Sequence, residues 1–272
     1  MAIAELDLTM HPYEVADETF VIPWILPAPP VGLFPMNSLV IRGAEPVIVD
    51  TGSPANRDEW FRNVESIVDL DDVRWIFLSH DDRDHSGNLL PALERCPNAM
   101  LLTTWFMVGR MCEEWLTPLD RCRFLNDGES IEVGDRVLTA LRPPIFDNPT
   151  TRGLFDNRTG VFWSVDTFAT KLARPLEDAA DLDDDEFEEG QLFGNRLVAP
   201  WHGLVDEAKF CAEVDRIQAL PIQAVASCHG PALSGARLDR GFDLLRTLPT
   251  ADDYCDFTQA DLDQWMAAPL AE

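Results

Sequence analysis

The chain has 272 residues, 46% of them hydrophobic and 25% charged, which are values of a folded globular protein and exclude a disordered one. Its 48 acidic and 21 basic residues leave a net charge of −27, a field that repels phosphate backbones and anionic lipid, so neither nucleic acid nor a membrane surface is expected as a partner. No apolar run reaches the roughly 18 residues needed to span a bilayer.

Taken from the N-terminus, a Pro-rich stretch over 23–36 carries Trp24, Leu26, Leu33 and Phe34. It reads either as an apolar wall of a ligand pocket or as a packed strand-loop. Residues 37–41 and 46–49 are β-branched and apolar, with the turn-like Gly43-Ala44-Glu45 between them, and predict paired strands. Trp60, Phe61, Val64, Ile67 and Val68 fall on one face of a helix over 56–68. A buried strand at 73–78, a polar loop at 79–87 and a short helix at 88–95 follow. The theme repeats with a strand at 99–103, a helix at 104–116 and strands at 136–141 and 161–165. The acidic segment 177–189 reads as an exposed surface loop rather than a cation site. A helix at about 205–219, a strand at 222–227 and a last helix near 235–247 complete the pattern, with positions read from the sequence. Strands and helices alternating in two halves predict an α/β layered fold. Residues 1–250 are expected to form a single domain, with 251–272 a tail or helix packed on it.

Lysine occurs only at Lys171 and Lys209, and the acidity fits either a salty cytoplasm or a strongly soluble surface. The six cysteines, Cys96, Cys112, Cys122, Cys211, Cys228 and Cys255, include no CxxC pair, which disfavours a thiolate zinc or rubredoxin-type iron site. The N-terminus lacks the apolar core of a secretion signal, and together these features predict a reducing, cytoplasmic setting.

The informative stretch is Ser79-His80-Asp81-Asp82-Arg83-Asp84-His85-Ser86-Gly87-Asn88. It follows a buried strand and opens a helix. His80, Asp82, Asp84 and His85 sit at i, i+2, i+4 and i+5, a spacing that lets two face one metal and two another. Imidazole and carboxylate are the ligand types of first-row metals.

The segment resembles the HxHxDH signature of the metallo-β-lactamase superfamily. Other marks appear in order: Asp50-Thr51-Gly52 ends an apolar strand, Asp166 follows the strand at 161–165, and His229-Gly230 follows the strand at 222–227. The resemblance covers roughly residues 15–235 and implies a four-layer αββα sandwich. The second His of the signature is here Asp82, and a carboxylate there resembles the flavodiiron and stand-alone oxygen-binding diiron branch, whose motif is HxExDH. The intervals resemble that branch too: 61 residues between His85 and Asp147, 18 between Asp147 and Asp166, and 62 between Asp166 and His229. Ile145-Phe146-Asp147-Asn148-Pro149 occupies the place of a segment that carries a His in the family, so Asp147 stands where an imidazole is expected.

By this resemblance one metal takes His80, Asp82 and Asp147, the other takes Asp84, His85 and His229, and Asp166 bridges. Three imidazoles and four carboxylates suit iron or manganese better than zinc. Asp50 is expected to orient a ligand His, with Ser79 and Ser227 in similar roles. Cys228 is either a soft ligand or a packed thiol. His202 either lines the pocket as a proton donor or is an exposed loop residue, and His11 is structural or exposed. The resemblance implies a diiron protein that binds or reduces dioxygen, nitric oxide or peroxide. Such a protein draws on an external electron donor, since no flavodoxin-like segment is recognisable, and by analogy forms a homodimer. The alternative is a dizinc hydrolase of an ester, thioester, lactam or phosphodiester.

Overall fold

The computed structural model describes residues 6–254 and 256–267. Seven strands form the first sheet, in the order Tyr13–Ala16, Thr19–Ile22, Ser38–Ile41, Val47–Val49, Trp75–Phe77, Met100–Thr103 and Cys122–Phe124. Six form the second: Ser130–Val133, Arg136–Leu141, Gly153–Asp156, Val161–Trp163, Ala224–Ala226 and Leu233–Ser234.

Side-chain alternation along these strands builds the layers. Val47 and Val49 point to a core shared by both sheets, whereas Ile48 between them points to the helices Arg57–Glu65, Leu89–Arg95 and Trp105–Met111. In the second sheet Val161 and Trp163 meet the shared core. Phe162 turns outward to the helices Asp184–Val198, Glu207–Gln218 and Gly235–Thr247. Helix, sheet, sheet and helix are thus stacked over three apolar layers, the four-layer αββα sandwich that the motifs implied.

Two differences from the sequence reading have physical causes. The acidic segment 177–189 is largely exposed, as expected, but is not all loop, because its second half opens the helix Asp184–Val198. Asp183 accepts from the Glu186 N–H at 2.8 Å and the Glu186 side chain accepts from the Asp183 N–H at 3.3 Å, a reciprocal cap. Carboxylates are favourable at that end of a helix, so the charge run marks a helix start. The strands Tyr13–Ala16 and Thr19–Ile22 were not foreseen, because the charged Glu14, Asp17 and Glu18 interrupt their apolar pattern. The Pro-rich stretch, read as a pocket wall or a packed strand-loop, forms a separate hairpin, Ile25–Ala28 with Gly32–Pro35, and buries Leu33 in the core.

The helix Gln259–Ala267 carries no buried residue. No helix among the described residues is long and apolar enough to cross a membrane. Cys96, Cys112, Cys122, Cys211 and Cys228 are free thiols, and Cys255 lies outside the described residues.

Candidate metal centre

Parallel pairing sets where the polar side chains gather. Val47–Val49, Trp75–Phe77 and Met100–Thr103 run parallel in one sheet, and Val161–Trp163 and Ala224–Ala226 in the other. Loops leaving the carboxyl ends of such strands meet at one edge of the sandwich. Asp50, His80, Asp166 and His229 each follow one of these strands within three residues.

The structure brings His80, Asp82, Asp84, His85, Asp147, Asp166 and His229 together. His80 Nε2 lies 3.4 Å from Asp82 Oδ2, 3.9 Å from Asp147 Oδ1 and 3.7 Å from Asp166 Oδ2. His85 Nε2 lies 3.5 Å from Asp84 Oδ2 and 3.1 Å from Asp166 Oδ1. His229 Nε2 is 3.3 Å from Asp84 Oδ2 and 3.2 Å from Asp166 Oδ1. Asp166 therefore sits between two groups, with one carboxylate oxygen toward each.

The cluster fits cations. Asp166 is 1% exposed, yet its Oδ2 has no hydrogen-bond partner, an orphan that a buried carboxylate does not sustain without a positive charge nearby. The histidines are held so that Nε2 faces inward: His85 Nδ1 meets Asp50 Oδ2 at 2.8 Å, and His229 Nδ1 meets the Pro35 carbonyl at 2.9 Å. Asp50 is fully buried and also accepts from the Ser79 N–H at 2.7 Å, the Ser79 hydroxyl at 2.7 Å and Trp163 Nε1 at 3.0 Å. It thus positions His85 and does not itself join the seven. Ser227 spends its hydroxyl on the Val165 carbonyl at 2.9 Å and so holds backbone rather than a ligand ring. Val165, a β-branched residue at φ 60°, is strained in a way that turns Asp166 into the cleft.

His202 is not brought to the cluster. It is buried rather than exposed, with Nδ1 against the Leu248 carbonyl at 2.7 Å. Its neighbour Trp201 faces the Asp147 loop instead, donating from Nε1 to the Phe146 carbonyl at 3.1 Å. Asn148, which the sequence reading passed over, donates to Asp82 Oδ1 at 2.9 Å and Asp81 Oδ1 at 3.0 Å, and Arg110 anchors Asp81 at 2.9 Å. Only its place beside Asp147 could have flagged it.

The charges shift one another's titration. Burial opposes a charge on His85, but its acidic neighbours, Cys228 first and then Asp84, Asp50 and Asp166, hold its proton well above the ordinary range. His229 is raised likewise, against burial, by Cys228, Asp166 and Asp84. Burial and the nearby Asp166 push the Asp147 carboxyl up to about 6. Burial works to raise Asp166 too, but His80, His85 and His229 hold it well below its usual range.

These directions set how the metal-free protein responds to pH. Raised histidines stabilise the fold fully below their unfolded value of 6.5, and that contribution is lost as pH rises through their folded values. Asp147 acts in the same sense between 3.8 and about 6, because the folded state there holds the extra proton. The lowered Asp166 gives the opposite limb, losing its contribution as pH falls below 3.8. Chelator-treated protein should therefore melt at a lower temperature at about pH 8.5 than at about pH 5.5, while metal, by displacing the protons, should flatten the profile. Thermal melts across that range check it, and a metal-free Tm that rises with pH would show that the cluster does not hold protons as described.

Comparison with known proteins agrees with this geometry. The Rhodobacter capsulatus type A flavoprotein fprA is 24% identical over 238 residues, covering 85% of this chain and 49% of that protein. The Vibrio vulnificus anaerobic nitric oxide reductase flavorubredoxin is 23% identical over 198 residues, covering 71% of this chain and 39% of its own. The chain thus spans half or less of these relatives. The crystal structure of the flavodiiron protein from Giardia intestinalis superposes with a TM-score of 0.77 at 15% identity, over 89% of this chain and 60% of that one. A family model described as ODP family beta lactamase matches residues 35–230, from the end of the Pro-rich hairpin to the glycine after His229. With well over half its length matched, this chain belongs to the ODP family of the metallo-β-lactamase fold.

Proposed function

We propose that this chain holds two iron ions and uses them to bind or reduce a small oxidant, dioxygen, nitric oxide or peroxide, with electrons from a separate donor. The observation that carries this is the shared carboxylate: Asp166 places one oxygen by His85 and His229 and the other by His80. In the proposed set, His80, Asp82 and Asp147 serve one ion and Asp84, His85 and His229 the other. Four carboxylates offset the charge of two divalent ions and favour hard metals, iron or manganese over zinc. The names of the relatives, a nitric oxide reductase flavorubredoxin and a flavodiiron protein, point the same way.

When bound, paired irons supply the redox equivalents and an open position for a gas. The protein's own part is to fix ligand geometry and limit water. Asp50 holds His85 in the tautomer that frees Nε2, and the Pro35 carbonyl does so for His229. Asn148 holds Asp82 from the outer side. A reducing, cytoplasmic setting and a homodimer belong to the same proposal.

Metal content and an optical spectrum test it, on protein grown with ample iron and purified without chelator. Two irons per chain, with near-ultraviolet absorption that bleaches on reduction and returns on exposure to oxygen or nitric oxide, are expected. Two zincs with no uptake of iron would overturn the proposal in favour of hydrolysis.

A further inference from the structure

Cys228 adjoins His229 and is fully buried. Its Sγ and ligand atoms of Asp84, His85 and His229 all lie within 4.8 Å of one another. With metal–sulfur bonds of about 2.3 Å and metal–nitrogen bonds of about 2.0–2.1 Å, the four donors can converge on one ion once the site contracts around it.

The thiol is also held in place. The Cys228 N–H donates to the Val165 carbonyl at 2.8 Å and the Cys228 carbonyl accepts from the Asn37 N–H at 2.9 Å. The Asn37 side chain bonds the carbonyls of Ser227 and Gly230, each at 3.0 Å, so the loop is clamped on both sides of the cysteine. A further buried anion is turned to the same place: Asp166 sets Oδ1 3.1 Å from His85 Nε2 and 3.2 Å from His229 Nε2.

We infer that Cys228 is an eighth donor, a thiolate ligand of the metal held by Asp84, His85 and His229. This rests on the two-metal reading above and extends it. The ligand sets then differ in kind, since a soft sulfur joins the ion of Asp84, His85 and His229 while the ion of His80, Asp82 and Asp147 keeps a hard carboxylate-rich set. No electron leaves the sulfur in this role; its proton goes to solvent as the metal binds.

Cobalt(II) loaded into the full chain tests it, because sulfur-to-cobalt charge transfer absorbs in the near ultraviolet and nitrogen or oxygen ligation does not. Two cobalts per chain with that band are expected. Cys228→Ser should keep both cobalts and lose the band, and a Cys112→Ser/Cys122→Ser/Cys211→Ser variant should keep it. Two cobalts without the band, or a band that survives Cys228→Ser, would overturn the thiolate and leave the dinuclear centre standing. No bound cobalt would remove both. If Cys228→Ser does not fold, X-ray absorption on the cobalt-loaded native chain decides, by whether the metal shell contains one sulfur or only nitrogen and oxygen.

Discussion

Asp166→Ala should strip both metals, taking the metal content after gel filtration from two per chain to near zero. On the proposed ligand set the change removes one ligand from each ion at once, together with the charge that balances three imidazoles. Asp166 Oδ1 lies 3.1 Å from His85 Nε2 and 3.2 Å from His229 Nε2, and Oδ2 lies 3.7 Å from His80 Nε2. Loss of a group that merely orients a ligand lowers metal affinity by about 10–100-fold, so a shared ligand should cost at least about 100-fold at each position. Asp166→Asn, which keeps the shape and removes the charge, should fall between. Elemental analysis reads the result, and full occupancy in the alanine variant would rule out the bridge.

Asp50→Ala should damage the fold and the metal site together. Four donors converge on this one buried carboxylate: the Ser79 N–H, the Ser79 hydroxyl, Trp163 Nε1 and His85 Nδ1. Truncation leaves these groups without an acceptor in a place water does not reach, and breaking a buried charged pair of this kind costs about 3–5 kcal/mol. For a chain of this size that is a fall in Tm on the order of 10 °C. Metal affinity should drop by about 10–100-fold as His85 loses its orientation. Melting curves and metal titration check both halves. A Tm within about a degree of native, with unchanged affinity, would show that His85 is oriented by something else.

What the sequence disclosed about this site follows from where its contacts are made. His80, Asp82, Asp84 and His85 lie within six residues, so their grouping was legible from spacing alone. Asp147, Asp166 and His229 are far apart in the chain, and only the resemblance to a known spacing joined them. Asp50 was also expected to orient a ligand His, as it does His85, but its other partners were not legible. Nothing local says that Trp163 donates to Asp50, 113 residues away, or that Pro35 supports His229 across 194. Such bonds are set by how the two sheets close on one another. His202 shows the converse: a histidine in a loop near Trp201 invites a catalytic reading, yet packing turned the tryptophan to the site and the histidine to Leu248. The apolar runs at 37–41, 46–49, 73–78 and 99–103 showed the middle of the first sheet, whereas Gly153–Asp156 in the second went unread and the charged Glu14, Asp17 and Glu18 broke the pattern of the N-terminal strands. In 177–189 the exposure was legible but the helix start was not, because the same carboxylates that suit solvent also suit the start of a helix.

The two halves of the cluster differ in how they meet solvent. The side chains of Asp82 and Asp147 are 42% and 44% exposed, whereas Asp84 is 23% exposed and His85 is fully buried. In the proposed ligand set this makes the two positions kinetically unequal. An ion held by Asp82 and Asp147 would be the nearer to solution and exchange first, and one held by Asp84, His85 and His229 would exchange later. A protein built this way can carry one metal as a stable resident and vary the other with supply, and stepwise unloading then gives a route to mixed-metal forms.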